Sequence, residues 1–169
     1  MNDKELAMLL SDKGLVEKRI ESYIQKKVLF LRQKDKREID GHISKAMHNL
    51  EFIPEISEKF GDWKLVVCYY ASYHMALALA LDRGYSSKSH DATLCVLIRH
   101  YFKIISADEI KMLNEVWLDN EDVLFYAQSK NEREKASYST RILFDNANIE
   151  DIKLKTILFV NKAREILKS

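Results

Sequence analysis

Four glycines and one proline are all that punctuate this chain of 169 residues. Sheet proteins need such residues at their turns, because glycine tolerates positive φ and proline presets the first turn torsion. A chain this poor in both, and rich in Leu, Lys, Glu and Ala, is built of good helix formers. The expected fold class is all-α. Hydrophobic residues make up 47% of the chain, enough for a sizeable core, and the length suits a single domain.

Apolar spacing divides the chain into helical segments. "NDKE" at Asn2 to Glu5 has the polar-x-x-Glu form of a helix start, and Gly14 is expected to break that first helix. Val16, Ile20, Tyr23, Ile24, Val28 and Leu31 step by three and four, which predicts an amphipathic helix over Leu15 to Leu31. Asp35 with Glu38 offers another start, and Pro54 should end the helix that follows. The stretch "WKLVVCYYASYHMALALALD", Trp63 to Asp82, is apolar around most of its circumference and predicts a central helix with neighbours on several sides. Asp62 is placed to cap its start and Gly84 to end it. Ser89 reads as the cap of a helix to about Ile105, and "SADE" at Ser106 to Glu109 as a capping box. A short segment, Ala136 to Phe144, and a terminal helix from Asn148 complete the series.

Charge is uneven although the formal net charge is only +1. Lys18 to Arg37 holds eight basic residues against Glu21 and Asp35, whereas Asp108 to Asp122 holds six acids against Lys111. A basic face of that kind suits polyanions or a partner protein. Cys68 and Cys95 lie in apolar runs without metal spacing, so they read as buried thiols in a reducing compartment. The start "MNDKELAMLL" lacks a signal-peptide pattern, and the uncharged run Leu65 to Leu81 falls short of the roughly 20 residues that span a bilayer. A cytoplasmic protein without a membrane partner is expected.

The five histidines show no HxxxH or HExxH spacing, and GxSxG, GxGxxG and P-loop patterns are absent. No metal and no cofactor is expected. Tyr69 with Tyr73, and Tyr70 with His74, lie four apart and share helix faces. "DRGYSSKSH" then places the cations Arg83 and Lys88 near Ser89 and His90 at a predicted helix start, a setting that suits an anion. The candidate ligand-binding residues are therefore Tyr73, His74, Arg83, Lys88, Ser89 and His90.

"KLVVCYYASYHMALALALDRGYSSKSHDATLCVLIRHYF", "REKASYS" and the terminal helix, taken in order, resemble the HEPN family of small prokaryotic helical domains. The resemblance covers roughly Glu38 to the end. It implies an up-and-down bundle of four to five helices over residues 38–169, with residues 1–37 as an N-terminal helical extension bearing the basic face. It also implies a homodimer. Many family members are metal-independent RNases and toxins with a nucleotidyltransferase-like partner protein. In active members an Arg and a His, four to six residues apart, face the other subunit across a cleft. Here Arg133 stands at the matching place, but Tyr138 occupies the position of the histidine. Tyrosine, with a pKa of about 10, is a poor base at neutral pH. The resemblance thus implies a nucleotide- or RNA-binding domain with weak or no RNase activity, in which Arg133 and Tyr138 form a degenerate catalytic pair. The alternatives are an active endoribonuclease toxin and a non-catalytic protein-interaction module.

Overall fold

A computed structural model describes residues 1–128 and 146–168. Among these residues the chain forms seven α-helices and one two-stranded sheet, in the order α1 (Asp3–Ser11), α2 (Lys13–Gln25), β1 (Leu29–Leu31), α3 (Lys36–Phe52), α4 (Gly61–Asp82), β2 (Tyr85–Ser87), α5 (His90–Tyr101), α6 (Ala107–Gln128) and α7 (Asn146–Lys168). The fold class is all-α, as the scarcity of turn residues implies. Five of the helices lie in residues 38–169 or begin just before them.

α4 is the axis of the fold. Along its length Leu65, Val66, Val67, Cys68, Ala71, Met75, Ala76, Ala78, Leu79 and Ala80 are all buried, so no single partner could cover it. α3 packs antiparallel to it: His42 meets His74, and Ile53 beyond the end of α3 clusters with Val67 and Cys68. α7 runs alongside in the same direction as α4, with Ile149 against Gly61 and Lys64 near Glu150. α6 is anchored by Trp117, whose Nε1 donates to Ser72 Oγ at 3.1 Å. α5 begins beside Tyr69 and Tyr73 and ends where Tyr101 meets Leu79 and Asp82, so it too follows α4.

Residues 1–37 share this core. Leu6, Leu9, Val16, Ile20 and Leu29 are buried with the residues of α4 and α5; α2 packs chiefly against α5, and α1 packs against α2 and reaches both α5 and α6. The expected helix over Leu15 to Leu31 is shorter than its apolar spacing suggested. α2 stops at Gln25, Lys27 takes a positive φ of 57°, and Leu29, Phe30 and Leu31 pair antiparallel with Ser87, Ser86 and Tyr85. Val28 and Leu31 therefore belong to a turn and a strand, because the segment "YSS" supplies a ladder that local periodicity does not reveal. Gly14 does not break α1; the break falls at Asp12, which caps α2 by accepting from the Leu15 amide at 3.1 Å.

Other starts and stops follow their chemistry. Asn2 accepts from the Glu5 amide, Asp35 from those of Arg37 and Glu38, and Ser106 and Glu109 exchange hydrogen bonds as a capping box. α3 ends before Pro54, but two expectations fail: α4 begins at Gly61 with Phe60 in the cap position and no capping side-chain bond, so Asp62 is not its cap, and α5 stops at Tyr101 rather than near Ile105. α4 is also the one helix among the described residues long and apolar enough to cross a membrane by length and composition, and 72% of its apolar window is buried in the bundle.

Gly84 closes the sheet. Its φ is +77°, and a Cβ there would stand 2.9 Å from the carbonyl oxygen of Arg32, whose own amide donates to Gly84 at 2.8 Å. Gly84→Ala should cost about 1–3 kcal/mol through both strain and the clash. Gly41→Ala is the contrast, since a Cβ there meets nothing within 4 Å and α3 would lose a flexible interior residue. Thermal unfolding of the two variants should therefore move in opposite directions. Equal melting temperatures would remove Gly84 from this role.

Candidate functional site

The return of β2 along α4 delivers the start of α5 to the middle of α4. There a cavity of about 310 Å³ is lined by Met1, Tyr73, Lys88, Ser89, His90, Asp91, Asn114 and Trp117. Four of the six expected ligand-binding residues, Tyr73, Lys88, Ser89 and His90, meet at this place. Tyr73 is half-buried and its ring stacks on Tyr69 at 5.7 Å, the geometry expected for residues four apart on a helix. His90 stands edge-on to Tyr73 at 4.6 Å and 5.3 Å from Trp117, so three aromatic rings wall one space.

His90 is oriented by a hydrogen bond between its Nε2 and the Tyr69 hydroxyl, 2.9 Å apart. Ser89 starts α5, and its carbonyl receives the amide and hydroxyl of Thr93 at 3.0 and 2.9 Å. The start of α5, the positive end of its helix dipole, thus lies beside the cavity. Lys88 projects over the ring of Phe30 at 4.9 Å on the same rim. On the opposite side the amino group of Met1 lies 3.1 Å from Asp91, and Asn114 donates to the Met1 carbonyl at 2.9 Å. Burial raises the Tyr73 hydroxyl pKa, so the ring stays neutral at any physiological pH.

His74 and Arg83 are placed elsewhere. The Nδ1 atoms of His74 and His42 are 2.9 Å apart while their ring centroids are 5.2 Å apart, so the imidazoles meet head-on across α3 and α4. One ring donates and the other accepts, an arrangement that requires at least one of them to be neutral. Burial is the main reason that His74 is held down at about 4, with His42 and Lys45 adding to it. His42 is lowered by burial as well, Glu38 opposing and Lys45 assisting. Tyr70 stacks on His74 at 6.4 Å, as their spacing predicts. Arg83 donates through Nε to the Tyr101 hydroxyl at 3.0 Å and lies 3.5 Å from Asp82, at the far end of α4.

Arg133 and Tyr138 lie outside the described residues, as does the segment from Ala136 to Phe144. Cys68 and Cys95 are buried free thiols, pushed up by burial to about 11 and about 12, so neither supplies a thiolate at neutral pH. Among the described residues no three His, Cys, Asp or Glu side chains converge to hold a metal ion.

Sequence reasoning did not foresee Trp117, Asn114, Asp91 or His42 in this region. By its spacing Trp117 is one more apolar residue of α6, and nothing local points to Tyr73. His42 carried a weak signal: it interrupts the apolar stripe of Ile39 and Ile43. No family model matches the chain, and neither a curated protein nor a solved structure matches it.

The neutral histidine pair sets a pH dependence. A folded pKa below the ordinary value of 6.5 means that the unfolded chain binds more protons between 6.5 and about 4. Stability is full above that window and lost as pH falls through it. The melting temperature should drop across this range, and His42→Gln/His74→Gln should flatten the drop, leaving the slope that belongs to half-buried His100 and to the low-held carboxyls of Asp82 and Glu109. An unchanged slope in the double variant would exclude the pair as its source.

Proposed function

We propose that the chain is a HEPN-like domain that binds a nucleotide or RNA in the cavity at the start of α5, with RNase activity weak or absent. The observation that carries this reading is the convergence of two aromatic rings, Tyr73 and Trp117, an oriented histidine and a lysine on one space beside a helix N-terminus. Aromatic walls accept the face of any base, and stacking is worth about 1–3 kcal/mol per base. Lys88 and the positive end of the α5 dipole suit the attached phosphate. The volume of about 310 Å³ is at the lower end for ligand pockets, which fits one nucleotide rather than a longer segment inside it. The basic residues Lys18, Lys26 and Lys27, exposed on and after α2, would add phosphate contacts for a longer RNA.

A second reading, an active endoribonuclease, draws support from the Tyr69–His90 hydrogen bond, since a general base must be held in a fixed orientation. His74 is a poorer candidate because its Nδ1 faces His42. In that reading His90 would take the place of the histidine that Tyr138 replaces.

Two measurements test these readings. Thermal shift with adenosine monophosphate and with a short oligoadenylate should raise the melting temperature, by about 2–3 kcal/mol of stability at a hundred times Kd. Tyr73→Ala should weaken binding about 10- to 100-fold, and Lys88→Glu should weaken it while reducing the salt dependence. Labelled mixed-sequence RNA incubated in EDTA should stay intact. Cleavage abolished by His90→Ala would instead establish the nuclease, and neither shift nor cleavage would leave the interaction module.

A further inference from the structure

The bundle has two chemically opposite ends. At the N-terminal end of α4, where the α3–α4 connection folds back, Phe52, Phe60 and Trp63 are 51%, 46% and 54% exposed. Large aromatic rings in water at one place are unusual for a helical bundle whose core is already filled. Glu51, Glu55 and Glu58 are exposed among them. The nearby cations are partly absorbed: Lys64 is buried and its charge is met by Glu58 at 2.5 Å and Glu150 at 4.0 Å, and Lys59 lies over the Phe60 ring. This tip is apolar and acidic.

At the other end of α4 the signs are reversed. β1 reaches this end because the Arg32 amide donates to Gly84, and Lys34 pairs with Asp82. α3 starts here with Lys36 and Arg37, both exposed, and Leu31 is 67% exposed on the strand just before them. Arg32 is shared with Glu38 at 2.9 Å. This pole carries an exposed leucine and is basic on balance, because Asp35, Glu38 and Asp82 offset only part of the charge of Arg32, Lys34, Lys36, Arg37 and Arg83. The 22 residues of α4 hold the two surfaces about 33 Å apart, too far for one molecule to bring them together.

We propose that the two surfaces bind each other between copies of the chain, the acidic aromatic tip of one copy seating on the basic pole of the next. Charge complementarity names the occupant: among the described residues the tip carries more acids than cations, and the opposite end of the same chain presents the exposed cations Lys36 and Arg37 beside an exposed leucine. Because the two patches differ, the contact is head-to-tail, and it builds rings or open chains rather than a symmetric pair. Rim charges of this kind set association rate and register and are screened by salt. The inference does not depend on nucleotide binding.

Sedimentation velocity of the full chain without nucleic acid tests it. The wild-type protein should gain mass with concentration at low salt and lose it in high salt. Glu51→Lys/Glu55→Lys reverses the tip, and Lys36→Glu/Arg37→Glu reverses the pole. Each change places a charge at the end of α3 that its helix dipole favours, so both variants should fold. Each alone should associate about a hundredfold more weakly, since like charges then face each other. An equimolar mixture should regain association, because reversed tip meets reversed pole. Trp63→Ser should weaken the wild-type contact without removing its salt dependence. A monomeric wild-type protein, a dimer indifferent to both reversals, or a mixture that stays dissociated would each overturn the proposal.

Discussion

A helix that is apolar on every side has to be enclosed, and the remainder of this molecule is the enclosure of α4. Its alanines let α3, α5, α6 and α7 approach closely, while Ser72, its buried hydroxyl bonded to the Tyr69 carbonyl, receives the one indole that reaches the centre. The demand for cover also explains the sheet. α5 can lie parallel to α4 only if the chain first travels back along it, and three extended residues make that return with fewer residues than a helix would use. β1 then satisfies the exposed backbone of β2, which binds the N-terminal helices to the rest.

Much of this was legible from the residues. The scarcity of glycine and proline gave the class, and caps at Asn2, Asp35 and Ser106 gave three helix starts, because side chains within three residues decide a cap. The strands were not legible. "VLFL" continues the apolar spacing of α2, and only contact with a segment more than fifty residues away makes it extended. Local preference is a weak prior wherever a tertiary ladder competes with it.

The candidate site divides in the same way. Tyr69–Tyr73 and Tyr70–His74 followed from helical spacing and stack as expected. Proximity between α4 and the Ser89–His90 turn followed only from the return of β2. Trp117 and Asn114 come from α6, and nothing local announces that a residue of one helix will wall a cavity begun by another. The same holds for His42: its partner is thirty-two residues away, and the pairing exists because α3 and α4 pack antiparallel.

The two tryptophans of the chain sit at unlike places. Trp117 is 1% exposed, its indole nitrogen bonded, in the wall of the cavity; Trp63 stands in water at the tip. An indole in an apolar wall emits to the blue of one in water, and only the latter meets a dissolved quencher. The molecule therefore carries two built-in optical reporters that can be read apart. A change of colour without a change of quenching reports on the cavity, and a loss of quenching reports on what covers the tip.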